Sequence, residues 1–204
     1  MADVGSPVKI ISDDCIAENE SVPFTAARTD HRQQGLAIWF TGLSGAGKST
    51  LCNSVHAELI TRGYRAEVLD ADIIRKQICP DLGFSKADRD ENVRRIGFVA
   101  RLLTQNGIIV LVAAISPYRA ARNEVRNEIG RFLEVYVDAP LHVCEERDPK
   151  GLYRRARLGE LHGFTGIDDP YEPPIAAEVR CATDQDTVKT CREQVVCAVL
   201  KYLS

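Results

Sequence analysis

Residues Gly42 to Thr50, GLSGAGKST, stand directly behind the apolar run LAIWFT, and no other stretch of the chain limits its possible folds so sharply. Glycines spare the backbone Cβ clashes, so successive N–H groups can turn inward around one centre. The spacing G-x-x-x-x-G-K-[ST] also sets a lysine and a hydroxyl at the start of the next helix, whose N-terminus carries partial positive charge. Strand, glycine-rich turn and helix together make a cradle for a polyphosphate, formed by Gly42, Leu43, Ser44, Gly45, Ala46, Gly47, Lys48, Ser49 and Thr50. In it Lys48 reaches the outer phosphates and Ser49 offers an oxygen to Mg²⁺. A strand-to-helix turn that merely needs glycine would not require all four key positions at once.

The pattern downstream repeats the strand–helix alternation. RAEVLD is a second strand, IIVLVAAI a third, FLEVYVD a fourth, and a last one lies around AEVRC. Helices are expected over KSTLCNSVHAELITRG, over SKADRDENVRRIGFVARLLTQNG, from Pro117 to about Gly130, over LHVCEER and from Thr187 onward. Ser85 and Asp88 form a capping-box pattern, and Val93, Ile96, Ala100 and Leu103 recur on one helical face. Strands alternating with helices imply a parallel sheet covered on both faces. The expected fold is an α/β, P-loop NTPase-type three-layer sandwich: a mainly parallel five-stranded sheet in residues 36–204, with a Gly- and Pro-rich lid segment at about 148–175. Residues 1–35 are polar and aperiodic and read as a mobile extension.

Formal net charge is −3, so no global field favours nucleic acid or a membrane surface, and an anion site must be local. No apolar run approaches membrane-spanning length. The seven cysteines are scattered, with no C-x-x-C, which suits reduced thiols in a cytoplasmic protein rather than a disulfide framework.

The phosphate loop points to ATP or GTP. A GTPase would want an N-K-x-D base-reading motif, which is absent; DPKG at 148–151 matches D-x-x-G but follows the fourth strand, the wrong place for a switch. An ATPase motor would normally be larger, which leaves a small-molecule kinase. The second strand ends at Asp70, and in a parallel sheet the carboxyl ends of strands face the ligand crevice. Asp70 is placed there to help hold Mg²⁺ or to take a proton from an attacking hydroxyl. Asp72 and Arg75 follow as candidate acceptor ligands, against the plainer reading of Asp70 as a turn residue and Asp72 as a helix cap.

GLSGAGKST, DLGFSKADRDENVRRIG, ISPYRA, RDPKGLYRRARLGE and FTGIDDPYEPP, in that order from about Gly35 to Pro174, resemble the adenylylsulfate kinase (APS kinase) family. The resemblance implies transfer of the γ-phosphoryl of ATP, with Mg²⁺, to the 3′-hydroxyl of adenosine 5′-phosphosulfate, in a homodimer. It implies acceptor contacts from Asp72, Arg75, Phe84, Arg89, Asn92, Ile115, Ser116, Lys150 and Phe164, and places Arg147 against the ATP base. The residue types suit that acceptor: guanidinium forks grip phosphate or sulfate, and aromatic faces suit a purine. Packing for the two phenylalanines and solvation for Arg89 are the plainer readings. Arg147, Lys150, Arg154, Arg155 and Arg157 make the lid locally positive. Ser116-Pro117 reads as an N-cap and first helical position; some family members are recorded with a phosphoserine there, but direct in-line transfer needs no covalent step.

The chain departs from the family's D-G-D-N in having DADI, with Ala71 for glycine and Ile73 for asparagine. Another small-molecule P-loop kinase, or a silent nucleotide-binding regulator for which DADI is the only support, are the rival readings. A regulatory disulfide known in plant members would need Cys15 and a cysteine at position 53; Cys52 stands one position early and Asn53 occupies that site, which argues against the switch.

Overall fold

A computed structural model describes residues 33–204. The order is β1 (Leu36–Thr41), α1 (Lys48–Thr61), β2 (Ala66–Asp70), α2 (Ala71–Ile78), α3 (Lys86–Gln105), β3 (Ile109–Ala113), α4 (Arg119–Ile129), β4 (Phe132–Asp138), α5 (Leu141–Arg147), α6 (Leu152–Arg157), β5 (Val179–Ala182) and α7 (Val188–Leu203). The sheet has the order β2-β3-β1-β4-β5, and all neighbours are parallel. The central strands are covered on both faces, which is why they read as continuous apolar runs. Leu36, Ile38 and Phe40 of β1 join Ile109, Leu111 and Ala113 of β3 in a core beneath α1 and α7. Ala37 and Trp39 join Val110 and Val112 in a second core beneath α3 and α4.

Local chemistry explains most boundaries. Ser85 caps α3 by accepting from the Asp88 N–H, while its hydroxyl donates to the Asp88 carboxylate. Thr187 caps α7 by accepting from the Thr190 N–H. One sequence expectation needs correction, and two local details go beyond the sequence reading. The helix expected at Pro117 starts at Arg119, with Tyr118 as its N-cap; Ser116 lies outside it with φ of 42°. The cap of α2 is Asp70 rather than Asp72, with an Asp70 oxygen accepting from the Asp72 N–H. The Gly- and Pro-rich stretch contains α6, nucleated where both Asp148 oxygens accept from the Tyr153 and Arg154 N–H groups.

Gln33, on the extension side of the boundary expected at residue 35, bonds the Arg65 and Gly107 carbonyls and accepts from the Arg65 N–H. The rest of that extension, residues 1–32 with Cys15, lies outside the described residues. Cys52, Cys79, Cys144, Cys181, Cys191 and Cys197 are free thiols. Cys52 is buried, and its thiol is pushed up to about 12 by that burial and then by Asp70, so it is a poor nucleophile. No helix among the described residues is long and apolar enough to cross a membrane.

The two helices covering the second core approach closely at Gly97. A Cβ there would stand 2.6 and 2.7 Å from the Val125 γ carbons. Val125 is itself buried and stiff at χ1. Gly97→Ala gains about 1 kcal/mol of helix propensity but incurs an overpacking cost of about 1–3 kcal/mol. The expected outcome is a lower Tm, by about 2–4 °C for each net kcal/mol, in a thermal melt. A raised Tm would mean that α4 moves aside freely and that glycine does not set the spacing.

Candidate active site

The loop after β1 meets the ends of β2 and β3 at the carboxyl edge of the sheet. Gly42 and Gly45 have φ of 151° and 74°, and a Cβ on either would collide with the Val137 or Cys144 carbonyl oxygen. Glycine there lets the loop pack down on β4 and α5. Gly47, φ 99°, is instead a conformational glycine, with only the Thr183 methyl at 4.0 Å, an ordinary contact, from its absent Cβ. Among the described residues, no acceptor serves the N–H groups of Gly45, Gly47, Lys48, Ser49 or Thr50. They surround a cavity of about 500 Å³ as a ring of unused donors at a helix N-terminus.

Lys48 folds over this ring and donates to the Gly42 and Leu43 carbonyls at 3.0 and 2.7 Å. Loss of water lowers its pKa to about 8, partly opposed by the nearby Cys144, Asp72 and Asp70. Ser49 donates to Asp70 Oδ2 at 3.0 Å. A hydroxyl and a carboxylate at that separation are hard oxygen donors of the kind Mg²⁺ prefers. No group of three or more His, Cys, Asp or Glu residues able to hold a metal occurs among the described residues. The protein thus offers a partial oxygen shell, which suits a cation held jointly with phosphate oxygens.

Asp72, Ile115 and Lys150 line the same cavity, with Lys150 and Asp72 in an exposed ion pair. Arg147 donates to the Thr183 carbonyl at 2.7 Å and approaches the Gly45 carbonyl at 3.4 Å, tying the phosphate loop to the turn after β5. Thr183, Asp186 and Val188 line the same cavity, and sequence reasoning did not single them out. The rule that found Asp70, loops at strand carboxyl ends facing the crevice, applies equally to the end of β5.

The remaining acceptor candidates do not line this cavity; Arg75, Phe84 and Arg89 form a cluster of their own, and Asn92, Phe164 and Ser116 are buried. Exposed Phe84 has the Arg75 guanidinium 4.5 Å and the Arg89 guanidinium 5.6 Å from its ring centre. Arg75 donates only to the Leu82 and Gly83 carbonyls. Arg89 donates to the Phe84 and Gly163 carbonyls, with Asp169 at 3.8 Å. Two guanidinium groups are therefore resting mainly on neutral carbonyls, which leaves their charge available to an anion. Asn92 is buried, and its Oδ1 has no partner among the described residues. Phe164 is buried and meets Tyr153 edge-on at 5.0 Å. Ser116 is also buried; its Oγ accepts from Trp39 Nε1 at 3.0 Å and donates to Thr41 Oγ1 at 3.1 Å. Ile73 is 63% exposed, away from the cavity, whereas Ala71 lines it.

Part of the positive lid patch is neutralised within the fold: Arg155 pairs with Glu160 and Arg157 with Glu145. The segment is docked by Tyr153, which donates to the Ser44 carbonyl at 3.0 Å.

Residues 34–182 match the family model described as adenylylsulphate kinase. The chain is 63% identical over 158 residues to an adenylyl-sulfate kinase of Microcystis aeruginosa, covering 78% of this chain and 87% of that one. An adenylyl-sulfate kinase of a Synechococcus species is 60% identical over 164 residues, covering 80% and 93%. Among solved structures, the Mycobacterium tuberculosis APS kinase CysC in complex with AMPPNP and APS matches with a TM-score of 0.78 at 44% identity. That match covers 82% of this chain and 98% of that one.

The lowered Lys48 pKa has a measurable sign. A polyphosphate favours the ammonium, so above about pH 8 binding must first restore a proton to Lys48. ATP affinity is expected to fall with rising pH by up to about tenfold per unit in that range. Calorimetry in two buffers of different ionisation enthalpy should give close to one proton taken up at pH 9 and little at pH 7. Absence of uptake at pH 9 would mean that Lys48 stays charged in the free protein.

Proposed function

The chain belongs to the adenylylsulphate kinase family, and from that premise we propose that it transfers the γ-phosphoryl of ATP to the 3′-hydroxyl of adenosine 5′-phosphosulfate. The product is 3′-phosphoadenosine 5′-phosphosulfate. The observation that carries this reading is one cavity lined both by the unused loop N–H groups and by Asp72, Ile115 and Lys150. Two anionic nucleotides meeting there would present their reacting groups to each other.

Phosphoryl transfer is catalysed mainly by positioning and charge. Lys48 and the loop N–H groups neutralise the charge that builds on the transferring group. Ser49 and Asp70 would hold Mg²⁺, which would supply positive charge against the phosphate oxygens. The Asp70 carboxylate is shared with the α2 cap, so its orientation is fixed before any ligand arrives; it also serves as the base for the acceptor hydroxyl. Arg147 lies against the ATP base. Arg75, Arg89 and Asn92 place the acceptor, with Phe84 and Phe164 providing aromatic surface and Lys150 completing the site. Residues 148–175 act as a lid that excludes water, so that ATP is not simply hydrolysed. Ser116 belongs to the acceptor pocket. Its hydroxyl is engaged with Trp39 and Thr41, which supports direct in-line transfer over a phosphoserine intermediate. We infer a homodimer working in the cytoplasm, with residues 1–35 as an extension to the 36–204 kinase domain.

Incubation with ATP, Mg²⁺ and adenosine 5′-phosphosulfate, with products read by mass, tests the reading directly; absence of the 3′-phosphorylated product would overturn it. Lys48→Ala is expected to leave a folded protein without transfer, and unchanged turnover would remove the mechanism. Arg89→Ala deletes a charged hydrogen-bonding group worth about 1.5–3 kcal/mol. The acceptor KM should rise by roughly ten- to hundredfold while ATP binding stays nearly intact. Selective loss of ATP binding instead would mean that the two pockets are interchanged.

A further inference from the structure

Arg122, in the middle of α4, is 2% exposed. Its planar fork joins three separate parts of the chain. Nε donates to Glu134 Oε1 in β4 at 2.7 Å, Nη1 to the Ser116 carbonyl at 2.6 Å, and Nη2 to the Glu172 carbonyl at 2.7 Å. Glu134 is buried too and is approached by Arg126 at 3.3 Å. A lysine in this position could not present three donors in these fixed directions.

The two backbone carbonyls belong to strategic segments. Ser116 is a non-glycine residue in the left-handed region, with φ of 42°. Such a conformation persists only where its surroundings over-determine it. Here the Arg122 bond holds the Ser116 carbonyl, while Trp39 and Thr41 hold its hydroxyl. The preceding residue, Ile115, lines the cavity, and its carbonyl accepts from Thr41 Oγ1 at 2.7 Å.

Glu172 lies at the base of the lid. Its N–H donates to the Pro117 carbonyl and its carboxylate accepts from the Arg119 N–H, both at 2.8 Å. Nearby, Tyr118 donates to Asp169 at 2.8 Å, and Asp169 stands beside Arg89. The Asp168 carboxyl is held below its ordinary range by the N–H groups of Gly163 and then, after a partial offset from burial, of Phe164. That turn presents the Gly163 carbonyl to Arg89. None of Arg122's hydrogen bonds reaches the phosphate loop.

We propose that Arg122 is a positioning residue for the acceptor half of the site. It locks the Ile115–Ser116 strand end and the Asp169–Glu172 lid base into one unit, with Glu134 balancing its charge. The inference rests on the kinase reading above.

The test compares wild type with Arg122→Lys and Glu134→Gln. Steady-state kinetics is measured with both substrates, ATP-analogue affinity by calorimetry, and folding by circular dichroism. Arg122→Lys is expected to raise the KM for adenosine 5′-phosphosulfate by about ten- to hundredfold, as small misplacements do. ATP-analogue affinity should stay within about twofold. Glu134→Gln should shift the same KM in the same direction by less. Equal weakening of both substrates, or an unchanged acceptor KM in folded variants, overturns the proposal. If neither variant accumulates as folded protein the proposal also fails, because the pair then serves fold stability alone. A wild type that makes no 3′-phosphorylated product would instead sink the kinase reading, so the two failures are distinguishable.

Discussion

The unsatisfied N–H groups of Gly45 and of Gly47 to Thr50 are the constraint around which the molecule is arranged. Backbone donors ordinarily find acceptors when a chain folds, and here the acceptor must come from outside. The parallel sheet makes this possible by sending all strand ends to one edge. The loop after β1 thus meets Asp70 from β2, Ile115 after β3 and Thr183 after β5. Glycine is needed at two loop positions because neighbouring carbonyls stand where a Cβ would be. The Lys48 ammonium donates to the loop's own Gly42 and Leu43 carbonyls.

A protein of net charge −3 nonetheless concentrates cations at this edge. Arg75 stacks on Phe84 and rests on carbonyls, and Arg89 does the same with Asp169 no nearer than 3.8 Å, whereas many arginines elsewhere have close carboxylate partners, such as Arg95 with Asp81 and Glu91. An exposed ion pair contributes little to stability, but an arginine spared from one keeps its field for a ligand. The site is built by withholding partners as much as by supplying groups.

The Gly- and Pro-rich segment is less loose than its composition suggests. Tyr153 and Phe164 pack against each other beside the phosphate loop, and Asp148 caps α6. Its far end is held through Tyr171, which shares a hydrogen bond with Thr41 and stacks on Tyr136.

Sequence alone determined the order of strands along the chain, the phosphate loop, the cap at Ser85, the helix start at Thr187, and the family whose motifs the chain carries. These features depend on near neighbours: apolar periodicity, glycine spacing and hydroxyls at helix starts act within a few residues. Tertiary structure decided what depends on distant partners. Ser116 looked like a helix cap, but Trp39, Thr41 and Arg122 hold it in a left-handed turn before α4. Asp70 took the capping role open to Asp72, and Arg122, unremarked in sequence, became a buried junction. Thr183 and Asp186 entered the cavity only once β5 was laid beside β4. The reason is physical: a side chain's short-range preference is written beside it in the chain, whereas the acceptor that claims a buried donor is fixed only when strands far apart in sequence pair.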